Sequence, residues 1–431
     1  MGLPPADGSG VRPLERLESL GVRGVRLGLD AIDAVCERLG RPERRVESVL
    51  IAGTNGKGST AATLAAIAEA AGRSTGLYTS PHLIDVTERI RVGANDIDGE
   101  ELEDVLGQVF AAADRAPQVP LTYFEAMTAA AFSVFDRKGL DLAVLEVGLG
   151  GRLDATNVAP ASLSVVTSIS LDHVEDLGPT VELIAAEKAG IFRRDRPALV
   201  ESRVPEALRA LRAAAERTGA RLHETGAELR IDGVAPSLES TRFRLETPER
   251  AYDLETPLLG AHQAENAATA VRAAELLGFA IGPEAIFRGV ATVRWPGRLE
   301  RFRRRGRTIL LDGCHNPEGA AALRRFVADT GLTPDLVFGA MADKDIPAMA
   351  DELGPLARRI RLVPAPSPRA AGPEDLLRSF APSRPDALAA PSLTAALDEL
   401  LADPETESII VAGSLYLVGE ARALLLSGRF E

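Results

Sequence analysis

The chain has 431 residues, 45% of them apolar and 4% aromatic, and a formal net charge of −13, a composition that suits two or three ordinary soluble domains, each with a full core. The acidic balance argues against general nucleic-acid binding, and no apolar run approaches the ~18 residues of a membrane span. Cys36 and Cys314 have neither metal-type spacing nor the makings of a disulfide framework, which fits a reducing cytoplasm.

The first residues, "MGLPPADGSGVRP", lack the charged-then-apolar pattern of a signal peptide and read as a frayed tail. Residues 12–45 predict two short helices around a glycine-rich joint at 21–28. From Val46 onward, apolar strands alternate with helices, the pattern of a parallel sheet covered on both faces. The first strand, "VESVLIA" at 46–52, runs into "GTNGKGST" at 53–60, and "TAATLAAIAEAA" at 60–71 continues as a helix without a breaker until Gly72. Strand, glycine loop and helix in that order turn backbone N–H groups and a helix N-terminus toward an anion. Lys57 would reach outer phosphates, and Ser59 or Thr60 could ligate Mg²⁺. The spacing is not the usual GxxxxGK[ST], so an ordinary strand–helix turn stays open at this point.

Further along, Thr122 followed by Glu125 marks a helix start with a capping box. "LDLAVLEVGLGGRLD" reads as a strand entering a second glycine loop, and strand 162–170 empties into Asp172 and His173. Residues 228–256 alternate like a small β-ribbon, and a helix follows from Gln263 to Leu277. "RWPGRLE" at 294–300 is the hinge candidate. Beyond it, "RTILLDG", "DLVFGAM", "RIRLVPA" and "SIIVAGS" predict strands of a second, Rossmann-like α/β domain. The basic run "RFRRRGR" at 301–307 reads as a solvated hairpin or linker.

Rare residues sharpen the picture. Only Lys57, Lys138, Lys188 and Lys344 among the 49 basic residues are lysine. A chain so biased toward arginine keeps lysine where a compact charge or a reactive amine is needed. Lys138 alone looks like a helix-end cation, while His223 and Cys314 read as structural. Ligands of parallel α/β sheets gather at the carboxyl ends of the strands, where the glycine loop, Ser80, Glu146 and His173 fall. A carboxylate inside an apolar strand is costly unless paired or metal-bound. Glu146 with Ser80 and His173 would therefore offer Mg²⁺ or Mn²⁺ a site beside phosphates. The alternatives are an ion pair of Glu146 with Arg152, and of Lys188 with Glu187 or Asp195.

The strings "AGTNGKGSTAA", "GLYTSPHL" with "ERIRV", "LTYFEAMTAAAF", "LEVGLGGRLDATN", "DHVEDLG", "AAEKAGIF", "GAHQAENA", "WPGRLE", "LDGCHNPEGA", "DKD" and "GSLYLVGE" follow one another over roughly residues 23–420. In that order they resemble the folylpolyglutamate synthase/dihydrofolate synthase family of the Mur ligase superfamily. The resemblance implies a P-loop-containing parallel-sheet ATPase domain at 1–296, followed by a smaller Rossmann-like glutamate-ligase domain at 297–431. It implies an ATP-dependent ligase that phosphorylates a pterin-bearing carboxylate and lets the amine of L-glutamate attack the acyl phosphate, with dihydropteroate, reduced folates or both as acceptor.

By the same resemblance, Gly53, Thr54, Asn55, Gly56, Lys57, Gly58, Ser59 and Thr60 hold the nucleotide phosphates, with Ser59 at one Mg²⁺. Ser80, Glu146 and His173 bind a second Mg²⁺, and Lys188 carries a carbamate that helps to hold it; a monovalent cation belongs to the same set. Asn266 and Arg298 contact the nucleotide near the hinge, and Asp312 and His315 reach it from the second domain. Lys344 and Ser414 suggest the amino-acid pocket, and His82, Phe124, Arg152 and Asp154 the folate side. A monomer is expected, with no nucleic-acid or membrane partner. A cell-wall Mur ligase would need a UDP-binding domain ahead of the phosphate loop, for which the 52 residues before Gly53 are too few. A non-catalytic regulator on the same scaffold would be expected to have lost Lys57, Glu146, His173 or Lys188, and a plain P-loop kinase has no use for a second domain bearing "DGCHNP".

Overall fold

A computed structural model describes residues 11–21, 28–278 and 281–430; residues 1–10 of the stretch read as a tail and most of the glycine-rich joint lie outside them, and Pro13 opens a helix. The first large sheet has strands β1 (Glu47–Ala52), β2 (Thr75–Tyr78), β3 (Ile90–Val92), β4 (Asn95–Asp96), β5 (Leu142–Glu146), β6 (Leu163–Val166), β7 (Pro197–Val200) and β8 (Arg221–Glu224). Their order is β4-β3-β2-β5-β1-β6-β7-β8, parallel except for β3 and β4. The two short N-terminal helices form at Pro13–Leu20 and Asp30–Arg38.

Parallel strands buried on both faces read as continuous apolar runs, and their side chains divide between two cores. In β1, Leu50 and Ala52 enter the core under the Gly99–Asp114 and Tyr123–Lys138 helices. Val49 and Ile51 enter the core under the Lys57–Ala70, Ala261–Leu276 and Pro283–Thr292 helices. Thr122 and Glu125 form the expected capping box, a device worth about 1 kcal/mol.

The ribbon at 228–256 is an antiparallel sheet of β9 (Arg230–Pro236), β10 (Thr241–Glu246) and β11 (Ala251–Thr256). The third sheet comprises β12 (Glu300–Arg304), β13 (Arg307–Asp312), β14 (Asp335–Phe338), β15 (Ile360–Leu362), β16 (Leu388–Ala389) and β17 (Ser408–Ala412), in the order β12-β13-β17-β14-β15-β16. The basic run is indeed a hairpin, since β12 pairs antiparallel with β13. In β13, Leu310 faces one core while Ile309 and Leu311 face the other.

The sheets meet with their strand carboxyl ends toward one cleft. Leu83, in the loop after β2, packs into the core of the third sheet, against Gly419 of the Leu415–Leu426 helix. At the bottom of the third sheet, Asp335 is fully buried and accepts bonds from Arg358, Arg359 and Thr406.

Candidate active site

The cleft encloses a cavity of about 350 Å³. Its floor is the glycine loop. The helix begins at Lys57 rather than Thr60, with Gly56 as its N-cap at φ 83°, so Lys57 stands in the first turn where the helix dipole favours anions. No side chain fits at Gly53 or Gly56. A Cβ on Gly53 would stand 1.8 Å from Thr167 Oγ1, and one on Gly56 2.3 Å from Asn266 Oδ1. Thr54 N–H donates to Ser168 O at 2.7 Å, and Lys57 Nζ donates to Gly53 O and Thr54 O at 3.1 Å each. The loop is thus pinned to the end of β6, with its lysine arched over it.

Glu146 ends β5 directly beside Ile51 of β1. Its side chain is buried, and Ser80 N–H donates to Oε2 at 3.2 Å. Burial raises its pKa, opposed by Lys57, by that backbone bond and by Arg298 and Arg89. The Arg152 alternative falls away, because Arg152 is half-exposed and pairs with Glu187 at 2.9 Å.

Lys188 is 5% exposed and its Nζ donates to Gly53 O at 2.7 Å. Glu187 is engaged by Arg152, and the charges that act on the amine are those of Lys57, Asp172 and Asp154 rather than Asp195. Burial, then the charge of Lys57, brings the Lys188 pKa down to about 7.

The third sheet supplies the roof. Asp312, at the end of β13, accepts from Leu299 N–H at 3.0 Å and Cys314 N–H at 3.1 Å, which fixes the 312–316 turn. The Arg298 guanidinium occupies the space where a side chain on Gly313 would stand. His315 Nδ1 lies 2.9 Å from Gly313 O, so this nitrogen carries the proton and Nε2 faces the cleft; burial lowers the His315 pKa to about 4. Asn316 caps the Pro317–Thr330 helix and exchanges amide bonds of 3.0 and 3.3 Å with Asn55 of the glycine loop.

Between floor and roof sits Asp172, 2.8 Å from Lys344 Nζ and 3.9 Å from the Nε2 atoms of both His173 and His315. Burial pushes its pKa up, but His173, Lys344 and His315 outweigh that and hold it at about 2. His173 itself adopts a left-handed backbone at φ 50°, an infrequent conformation for a side-chain-bearing residue.

Gly53 through Ser59, Ser80, Glu146, His173, Lys188, Asn266, Arg298, Asp312, His315, Lys344 and Ser414 all line this cavity. Thr60 does not: it is buried within the helix with an unpartnered Oγ1. His82, Phe124, Arg152 and Asp154 are also absent from the lining. His82 accepts a bond from Arg89 Nε at 2.9 Å, and Phe124 packs on Tyr78. Both Asp154 oxygens are satisfied, one by the N–H groups of Gly148 and Leu149, the other by Thr156. Asp154 therefore shapes the second glycine loop from behind.

Sequence reading gave no role to Asp172 or Glu318, which meet the opposite domain: Glu318 accepts from Asn55. Their signal was adjacency, to His173 and to the "HNP" turn. Among the described residues, no three His, Cys, Asp or Glu side chains gather closely enough to hold a metal by themselves.

Residues 51–274 match the Mur ligase middle domain, and residues 297–415 match the Mur ligase, glutamate ligase domain. A dihydrofolate synthase/folylpolyglutamate synthase from Bacillus subtilis is 35% identical over 93% of this chain and 96% of its own length. The chain belongs to the folylpolyglutamate synthase/dihydrofolate synthase family of Mur ligases. It is an ATP-dependent ligase of that family. A probable bifunctional folylpolyglutamate synthase/dihydropteroate synthase of Haloferax volcanii is 38% identical over 92% of the chain, which spans 48% of that longer protein. The structure of Escherichia coli FolC in complex with DHPP and ADP superposes with a TM-score of 0.88 at 32% identity, covering 99% of this chain and 100% of that one.

Proposed function

We propose that this ligase joins L-glutamate to dihydropteroate, to reduced folates, or to both, through an acyl phosphate. The observation that carries the reading is the convergence on one cavity of the phosphate loop, the buried Glu146 and the second domain's Arg298, His315 and Lys344. A free carboxylate is a poor electrophile. In the first step its oxygen attacks the γ-phosphorus of ATP and ADP departs. In the second step the glutamate nitrogen attacks the acyl carbon, loses a proton and expels phosphate. The residues here serve such chemistry by holding the partners together and offsetting charge. Lys57 and the loop N–H groups meet the phosphates, while Asn266, Arg298, Asp312 and His315 close over the nucleotide. Lys344 and Ser414 line the side from which an amino acid would approach.

The donor set fits Mg²⁺. Glu146 is a buried carboxylate with one backbone hydrogen bond, and Mg²⁺ typically takes one or two carboxylates, hydroxyls and water together with substrate phosphates. Ser59 would hold one ion, and Ser80, Glu146 and His173 another; when bound, Mg²⁺ offsets phosphate charge. Lys188, with a pKa of about 7, has a neutral amine available near neutrality, and a neutral amine adds to CO₂ to give a carbamate with release of a proton. Such a carbamate would add a carboxylate-like ligand beside Gly53. The reading also takes the enzyme as a cytoplasmic monomer, supported by two buried free thiols and a site assembled within one chain; no described helix is long and apolar enough to cross a membrane.

The test is ADP release with Mg·ATP and L-glutamate, run in parallel with dihydropteroate and with tetrahydrofolate. Turnover with both acceptors makes the enzyme bifunctional, and turnover with one assigns it to that reaction. Silence with both rejects the pterin reading. Lys188→Ala is expected to lose the activity and to recover part of it in millimolar acetate or formate; full activity without added acid would remove the carbamate.

A further inference from the structure

We propose that Asp172 is a positioning residue for this reaction: it reaches from the first domain to the second and fixes Lys344 over the phosphate loop. The inference rests on the ligase reading given above, and its geometry is independent of that reading. Asp172 and Lys344 are 172 positions apart in the chain, yet Nζ donates to Oδ1 at 2.8 Å. Their side chains are only 11% and 13% exposed, so the pair is shielded from the solvent that makes surface ion pairs nearly neutral in stability.

The two oxygens of Asp172 do different things. Oδ1 accepts from Lys344 and from the N–H of His173 at 3.0 Å, which ties the carboxylate to its own turn. Oδ2 points between the imidazoles of His173 and His315, at 3.9 Å from each Nε2. With Nδ1 of His315 facing Gly313 O, its free Nε2 is aimed into the gap that Asp172 controls. At the Asn55 end, loop and roof are tied through neutral amides and through Glu318. Asp172 supplies the ionic tie at the Lys344 end, beside Lys188 and Lys57. Without its negative charge, Lys344 loses its ion-pair partner in the cleft.

A residue that acts by positioning should change turnover rather than nucleotide capture, and should act through its partner. Asp172→Asn keeps the shape and removes the charge. It is expected to lower kcat for amide formation about 10²-fold, the loss that follows from a misplacement near 1 Å, while the ADP dissociation constant stays within about threefold. In a Lys344→Met background the same change is expected to cost less than about threefold, because the partner is already gone. Asp172→Glu should recover part of kcat.

Closure gives a readout that does not depend on turnover. Dyes on Glu216→Cys and Arg378→Cys, exposed positions on the two domains, should report a longer mean separation in Asp172→Asn than in the parent, with both proteins folded by circular dichroism. An unchanged separation together with additive effects of Asp172→Asn and Lys344→Met would overturn the proposal. A parent chain that releases no ADP with any acceptor sinks the ligase reading instead, and the dye separation then decides the role of Asp172 alone.

Discussion

Replacing Lys188 by methionine tests the electrostatics of the cavity most directly. The amine is 5% exposed, and burial with the nearby Lys57 lowers its pKa from 10.5 to about 7. At 1.36 kcal/mol per pKa unit, holding that proton in the folded state costs roughly 5 kcal/mol more than in the unfolded chain. The sign follows from proton counting. Between pH ~7 and ~10.5 the unfolded chain binds a proton that the folded chain has released, so this group makes stability rise with pH across that window. Below the window the full penalty stands. Integration over the interval from pH 6 to pH 9 gives a difference of about 2–3 kcal/mol from this one group.

Methionine keeps much of the shape and removes the titration, and Gly53 O still receives Lys57 Nζ. The variant's gain in stability over the parent should therefore be about 2–3 kcal/mol larger at pH 6 than at pH 9. Urea unfolding of both proteins at the two pH values, in CO₂-free buffer, measures it. Equal differences at the two pH values would refute the buried, partly neutral amine, and with it the physical basis for a carbamate.

Three further outcomes are expected. Glu146→Gln removes the one carboxylate beside the phosphate loop on β5 and should raise the Mg²⁺ concentration for half-maximal turnover on the order of tenfold, since affinity follows ligand charge; an unchanged titration takes Glu146 out of the metal site. Gly56→Ala places a Cβ 2.3 Å from Asn266 Oδ1 at a φ of 83°, so it should cost about 1–2 kcal/mol for the backbone alone and weaken ADP binding in calorimetry. Asp335→Ala takes the buried carboxylate from Arg358, Arg359 and Thr406 and should destabilise the protein by about 1–3 kcal/mol in a denaturant titration, with the phosphate loop untouched.

The amino-acid pattern sets the alternation of strands and helices, because strands buried on both faces have to be continuous apolar runs. It located the phosphate loop, because glycines at 53 and 56 are what a close backbone approach requires. It also pointed to Glu146, through the cost of placing a charge in an apolar strand, and to Lys57 and Lys188, through the rarity of lysine in a chain that uses arginine for most of its cations. Short-range rules did not reveal the helix start at Lys57, which depends on Gly56 closing the first turn. Nor did they separate residues that line the cavity from those that shape it, as with Asp154, whose oxygens are consumed by its own loop. What faces what across the hinge was decided only by the tertiary structure. Asp172 meets Lys344, and Asn55 meets Asn316 and Glu318, over separations of 172 and more than 260 positions. No local preference encodes such pairs, which exist because two independently cored sheets present their strand ends to the same cleft.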